Sequence, residues 1–436
     1  PDVTISAEDV FYLHRVKDGY DLYFLTNTTQ RDLGRVEISF ERIGRPELWD
    51  ANTGETTPIH VFDVKDERLV LSLDFPASES HIIVLRDEPV EPRITETNLD
   101  VRRFEEGKIV GYGSGPAEQV VATVRQGGKN RKLKAEARKP RPPITLPVEY
   151  DFSIEQDNVL LIGSWRMRIE GNRKEAAHFH RPEYDDSEWL QVTNGAWEMQ
   201  LPQERDEATY PVTLWYRTAF TIRDVPSNPR LLIDGFRGSE YRLYLNGKEV
   251  KEKGRRSWLD AEIEEVDIRR YLQEGENAVA VRIVVNKRTE GMLDLLKIVG
   301  DFSVEGSEHE GYAIATRRTR VQAGDWTTQG FPFFSGTGVY RSEIDVPGRY
   351  LDGGRLYLEA DCGEDVLEVS VNGSEGIIVP WHPYRVDVTD LVRAGANAIE
   401  LKVTNTLINI LEGVQLKSGL FKRPRIVHQH RYELQA

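Results

Sequence analysis

Cysteine is nearly absent from this sequence: Cys362 stands alone, which excludes an intrachain disulfide framework and a cysteine-ligated zinc cluster. Basic residues are outnumbered, 57 Lys and Arg against 72 Asp and Glu, for a formal charge of −15. A chain so acidic, with no long basic block, offers nothing to a phosphate backbone, so nucleic acid is not expected as a partner. Long apolar runs are missing too. None approaches the roughly 18 residues of a membrane-crossing helix, and no membrane is expected as a partner. No G-x-x-x-x-G-K-[ST] loop, H-E-x-x-H helix or G-x-S-x-G elbow occurs. No cofactor or metal is expected. The 436 residues are enough for about three domains at roughly 100–200 residues each.

What is present is short alternation. The chain reads as short alternating apolar runs at 20–25, 35–40, 59–64, 69–73 and 81–85, separated by turn residues that include the run Asp50-Ala51-Asn52-Thr53-Gly54. Period two over five or six residues at this spacing predicts an antiparallel β-sandwich, assigned to 1–90. Pro-rich stretches at 88–92 and 139–147 bracket a segment, 91–147, that reads as a small β linker unit. Its basic run at 127–132 reads as a solvated hairpin tip, and the Gly-rich 111–115 as a turn.

The second half repeats itself. Trp215-Tyr216-Arg217 answers to Val339-Tyr340-Arg341, Leu245-Asn246-Gly247 to Val371-Asn372-Gly373, and Gly275-x-Asn277 to Gly395-x-Asn397, at a spacing of roughly 120–126 positions. Asn-Gly supplies the two positive-φ positions of a type I′ turn, so each copy should close a hairpin there. The copies are assigned to 148–320 and 321–436, and the fold class expected is all-β, multidomain β-sandwiches ending in two tandem domains of one kind.

Candidate chemistry is sparse. Asp185 and Asp186 are adjacent carboxylates on a turn and point apart, which suits backbone capping better than acid–base work across a glycosidic bond. His178/His180 and His428/His430 have the i, i+2 spacing that puts two imidazoles on one strand face, but no third ligand is identifiable for either pair, so packing is the expectation. Asp361, Glu364 and Asp365 lack a regular calcium-loop spacing; a structural calcium there is weighed and set aside. Sugar recognition pairs an aromatic ring, packed on a pyranose C–H face, with nearby polar groups. Two clusters have that composition: Trp381-His382-Pro383-Tyr384, and Trp326 with Phe331, Phe333 and Phe334. Trp381, His382, Tyr384 and Trp326 are the candidate carbohydrate-binding residues, set against a plain packing role.

The order Gly163-x-Trp165, Tyr184-Asp185-Asp186-Ser187-x-Trp189, Trp215-Tyr216-Arg217, Leu245-Asn246-Gly247 and Gly275-x-Asn277 resembles the galactose-binding-like jelly roll of glycoside hydrolase family 2 sugar-binding domains, with a shorter version over about 320–436. The larger set, His14-Arg15, Glu47-Leu48-Trp49-Asp50, Val299-Gly300-Asp301-Phe302, Gly330-Phe331-Pro332-Phe333-Phe334 and Asn405-Thr406-Leu407, resembles the C-terminal half of the α-L-rhamnosidases of glycoside hydrolase family 106. In that family the catalytic barrel and its acidic residues lie upstream, and no barrel-like alternation of strand and helix exists here. The resemblance implies two tandem galactose-binding-like jelly rolls in a non-catalytic region that supports an upstream barrel of the same polypeptide and holds glycan. On this expectation the chain is a piece of a longer glycosidase in a bacterial extracytoplasmic or secreted setting, with carbohydrate as its other partner. A stand-alone lectin-like protein and a purely structural scaffold are the alternatives.

Overall fold

The computed structural model describes residues 1–113, 118–171, 173–201, 210–307 and 309–435. Strands make up almost all of its regular structure, as the alternation predicts. The α-helical pieces among the described residues, Arg173–Ala176 and Ile408–Glu412, are single turns, and no helix is long and apolar enough to cross a membrane. Of the Gly-rich stretch, 111–113 end a strand, while Ser114 and Gly115 lie outside the described residues.

The chain divides into two compact units: 1–148 with 341–402 and 420–436, and 149–340 with 403–419. The division runs through two long strands, Thr337–Val346 and Gly395–Thr404, each of which begins in one unit and ends in the other.

The first unit opens with a β-sandwich. One sheet orders Val3–Ile5, Arg35–Phe40, Arg68–Asp74 and Asp63–Lys65; the other orders Val10–Lys17, Tyr20–Asn27, Ser80–Arg86, Arg45–Trp49 and Thr56–Pro58. Alternate residues meet between them, so Tyr23, Leu25, Ile38, Phe40, Leu69, Leu71 and Ile83 form the core. The 50–54 turn is tied by Asp50 Oδ1, which accepts the Asn52 and Thr53 amides, and closes with Gly54 at φ +74°.

Segment 91–147 is more than a spacer. Its Gly127-Gly128 pair, both at positive φ, closes the expected hairpin between Gln119–Gln126 and Lys129–Glu136. Its Lys108–Gly113 strand pairs with the C-terminal strand Lys422–Gln435, from Lys108↔Gln435 to Gly113↔His430. That 14-residue strand is long enough to serve three partners, Lys108–Gly113 near its end and Arg355–Asp361 and Ile144–Thr145 nearer its start. Leu99, Phe104, Ile109 and Val124 accordingly share a core with Tyr432 and Leu434.

The repeat appears in both units as the same construction. In the second unit the Asn246-Gly247 turn, at φ +49° and +76°, joins Glu240–Leu245 to Lys248–Glu249. In the first unit Asn372-Gly373, at φ +53° and +78°, begins the longer loop 372–376 that joins Val366–Val371 to Ile377–Val379. Asn246 Nδ2 donates to Asn277 Oδ1 and to the Tyr271 carbonyl, and its Oδ1 accepts the Ala278 amide. Asn372 does the same with Asn397, Leu391 and Ala398. The two sequence motifs are therefore one device, in which the later Asn satisfies a tight turn and fastens it to the hairpin.

Candidate functional site

The loop Trp381-His382-Pro383-Tyr384 lies between Ile377–Val379 and Arg385–Asp387 in the first unit. Tyr384 is buried, and its hydroxyl is hydrogen-bonded to the carbonyls of Gly363 (2.9 Å) and Asp365 (2.5 Å). Burial pushes its phenol well above the ordinary range. His382 packs on it with ring centroids 4.5 Å apart. With the loop anchored from below, Trp381 is left 45% exposed.

Trp381 borders an open groove of about 420 Å³ whose other wall is the outer face of the N-terminal sandwich. Three strands build that wall. Phe24 stands opposite Ile82, and Ile82 opposite Trp49, giving one cross-strand apolar row on the face away from Tyr23 and Leu25. Trp49 is steadied by its Nε1, which donates to Glu47 Oε2 at 3.1 Å, while Arg86 lies over its ring and pairs with the same carboxylate. Asp50, Asn52, Asp74, Glu79 and His81 supply the polar lining, and no Lys or Arg is among the described residues that line the groove. Burial, with a contribution from the Asp50 charge, pushes the Glu79 carboxyl up to about 7. Burial lowers His81, whose Nε2 lies 2.8 Å from the Asp74 carbonyl, so its ring is neutral at pH 7.

The structure brings only part of the candidate set to this groove. Trp381 lines it; Tyr384 is the buried anchor of the loop, which corrects its assignment as a binding ring, and His382 packs between the two roles. Trp326 is also corrected. It is fully buried in the second unit against Phe152, Phe334 and Tyr340, and a Cβ added at Gly338 would come within 2.5 Å of its ring, so it shows no face to a ligand. Phe24, Ile82, Trp49 and Glu79 are not among the candidate binding residues read from the sequence; the signal available for the apolar row was apolar residues on both faces of strands 20–27 and 80–86.

The remaining candidates serve the fold. Asp185 Oδ1 accepts the Ser187 amide, and Asp186 pairs at 2.7 Å with Arg217, a buried guanidinium that also donates to the carbonyls of Phe179, Arg181 and Tyr184. Asp361, one of the acidic residues of the calcium candidate, ends the strand Arg355–Asp361 and pairs with Lys422 at 2.8 Å. The His428/His430 pair does have a third neighbour. Pairing of Arg355–Asp361 with the C-terminal strand brings Asp352 Oδ1 to 3.0 Å from His428 Nε2 and its Oδ2 to 3.8 Å from His430 Nδ1. Arg141 reaches the same carboxylate at 2.5 Å and lies 3.5 Å from His428 Nε2, so a guanidinium already neutralises the charge a metal would use.

No family model matches the chain. An 87-residue stretch is 37% identical to a putative beta-glucuronidase of Formosa agariphila, covering 20% of this chain and 7% of that protein. Among solved structures, the rhamnosidase from Novosphingobium sp. PP1Y aligns over 98% of this chain and 25% of its own, at 16% identity and a TM-score of 0.40. A glycosyl hydrolase family 2 member from Bacteroides cellulosilyticus aligns over 57% of this chain and 31% of its own, at 16% identity and a TM-score of 0.26. The chain thus spans about a quarter of that rhamnosidase, and the sequence match relates part of it to a glycoside hydrolase.

Proposed function

We propose that this chain is the non-catalytic β-domain region of a rhamnosidase-like glycoside hydrolase, supporting an upstream catalytic barrel and holding glycan. The observation that carries the reading is the 37% identity over 87 residues with a much longer protein named as a glycosidase, of which the matched stretch is 7%. A domain of this kind accompanies other parts in one polypeptide there. The fates of Asp185 and Asp186 support the non-catalytic half: both carboxylates are engaged by turn and core donors rather than facing each other across a cleft. Carbohydrate is the partner class supported by the groove at Trp381, where an exposed indole faces polar side chains. That exposed ring also favours a second reading, a lectin-like binding protein without an enzyme attached.

Two measurements test this. The reading frame that encodes Pro1 should continue upstream into a catalytic domain; a frame that starts at this residue would favour the lectin. The purified chain should leave nitrophenyl rhamnoside intact. Turnover abolished by changing one of its own carboxylates would overturn the non-catalytic assignment.

A further inference from the structure

We infer that the groove between Trp381 and the Phe24–Ile82–Trp49 row is a site for an uncharged sugar ring and rejects acidic sugars. The inference rests on the glycan-holding part of the reading above and adds the residues, drawn from two sandwiches of one unit, and the class of sugar.

The first ground is the disposition of the apolar groups. Tyr384 and His382 fix the backbone on either side of Pro383, yet Trp381 keeps 45% of its surface exposed. Facing solvent from the opposite wall, Phe24 is 37% exposed on the side of its strand away from the core. A pyranose has one apolar C–H face and a rim of hydroxyls, and this groove offers aromatic walls with a polar lining at about 420 Å³, within the ~300–1,000 Å³ typical of ligand pockets.

The second ground is charge. Asp50, Asp74 and Glu79 line the groove, and among the described residues no Lys or Arg does. His81 is held neutral by burial, and Arg86, over Trp49, is paired with Glu47. A uronate or sulfate entering here would meet carboxylates and no counter-charge, in a site partly screened from water. With its carboxyl pushed up to about 7, Glu79 offers a sugar hydroxyl either a donor or an acceptor near neutral pH. Asp50 Oδ1, already accepting two turn amides, is a poor seat for a cation.

Titration of the whole 436-residue chain, followed by Trp fluorescence and amide shifts, tests this with four probes: rhamnobiose and cellobiose as neutral sugars, digalacturonate as the acidic one and fully deacetylated chitobiose as the cationic one. The neutral disaccharides should bind saturably, near millimolar, and digalacturonate at least tenfold more weakly. Trp381→Ala should weaken neutral binding at least tenfold while the thermal midpoint stays unchanged, and Trp258→Ala, at an exposed indole of the other unit, should leave it alone. Equal binding of digalacturonate, or tightest binding of deacetylated chitobiose, overturns the sugar class. Binding indifferent to Trp381→Ala overturns the location, and no binding of any probe overturns the site. None of these results bears on whether a catalytic domain lies upstream, which the reading frame decides separately.

Discussion

Asn246 and Asn277 share a side-chain hydrogen bond of 2.8 Å, and Asn372 and Asn397 repeat it at 2.8 Å in the other unit. Asn277 is fully buried and also donates to the carbonyls of Gln273 and Gly275 while accepting the Gln273 amide. Asn277→Ala would leave these groups unpaired in a dry site. A loss of about 2–4 kcal/mol in chemical denaturation is expected, with a matching loss for Asn397→Ala. A change below about 0.5 kcal/mol in either would show that the network is dispensable.

Arg217 is buried and shared between Asp186 and carbonyls of the 179–184 segment. Removing one partner of such a pair strands the other. Arg217→Met should cost about 3–5 kcal/mol, and Asp186→Asn less, because the amide still accepts a hydrogen bond. Equal effects of the two substitutions in urea melts would contradict this arrangement.

Burial depresses His60, His81 and His428 below their ordinary 6.5. As pH falls from 6.5 towards the lowered values, the unfolded chain takes up protons that the folded chain refuses, so stability declines over that window and is flat above it. Replacing His428 with Gln should reduce the slope of unfolding free energy against pH between about 6.5 and 5. An unchanged slope would assign the acid sensitivity elsewhere.

Glu79 works in the opposite direction. Its carboxyl rises from 4.5 to about 7 on folding, so between those values the folded chain keeps a proton the unfolded chain has released, and stability falls as pH rises. Glu79→Gln should therefore be more stable than the parent at pH 8, on the order of 1–2 kcal/mol, with the difference shrinking towards pH 4.5. A constant difference across the range would mean Glu79 does not titrate with folding.

Asp352 is held by Arg141 and His428, which outweigh the opposing effect of burial and keep its carboxyl below the usual range. With that charge already matched, prolonged chelation with EDTA or addition of zinc should shift the melting temperature by under a degree, whereas Asp352→Ala, which leaves the buried His428 without its hydrogen-bond partner, should lower stability by about 1–3 kcal/mol. A clear zinc-dependent rise in melting temperature, lost in Asp352→Ala, would make this cluster a metal site.

Strand periodicity, the Asn-Gly turns and the duplicated motif belong to the sequence itself, because each depends on neighbours within a few residues: alternate side chains must share a face, and Asn-Gly tolerates the positive φ that a tight hairpin imposes. The partner of each strand and the face each aromatic presents were decided only by the tertiary structure. Trp326 and Trp381 sit in similar aromatic company in the chain, yet one is enclosed by Phe152 and Tyr340 and the other is lifted into a groove by a buried Tyr384. Asp352 meets His428 because two strands pair across 76 positions, a distance over which local pattern carries no information. The Phe24–Ile82–Trp49 row was hidden for a related reason: when a strand is apolar on both faces, alternation cannot say which face is core, and only packing against the second sheet chooses.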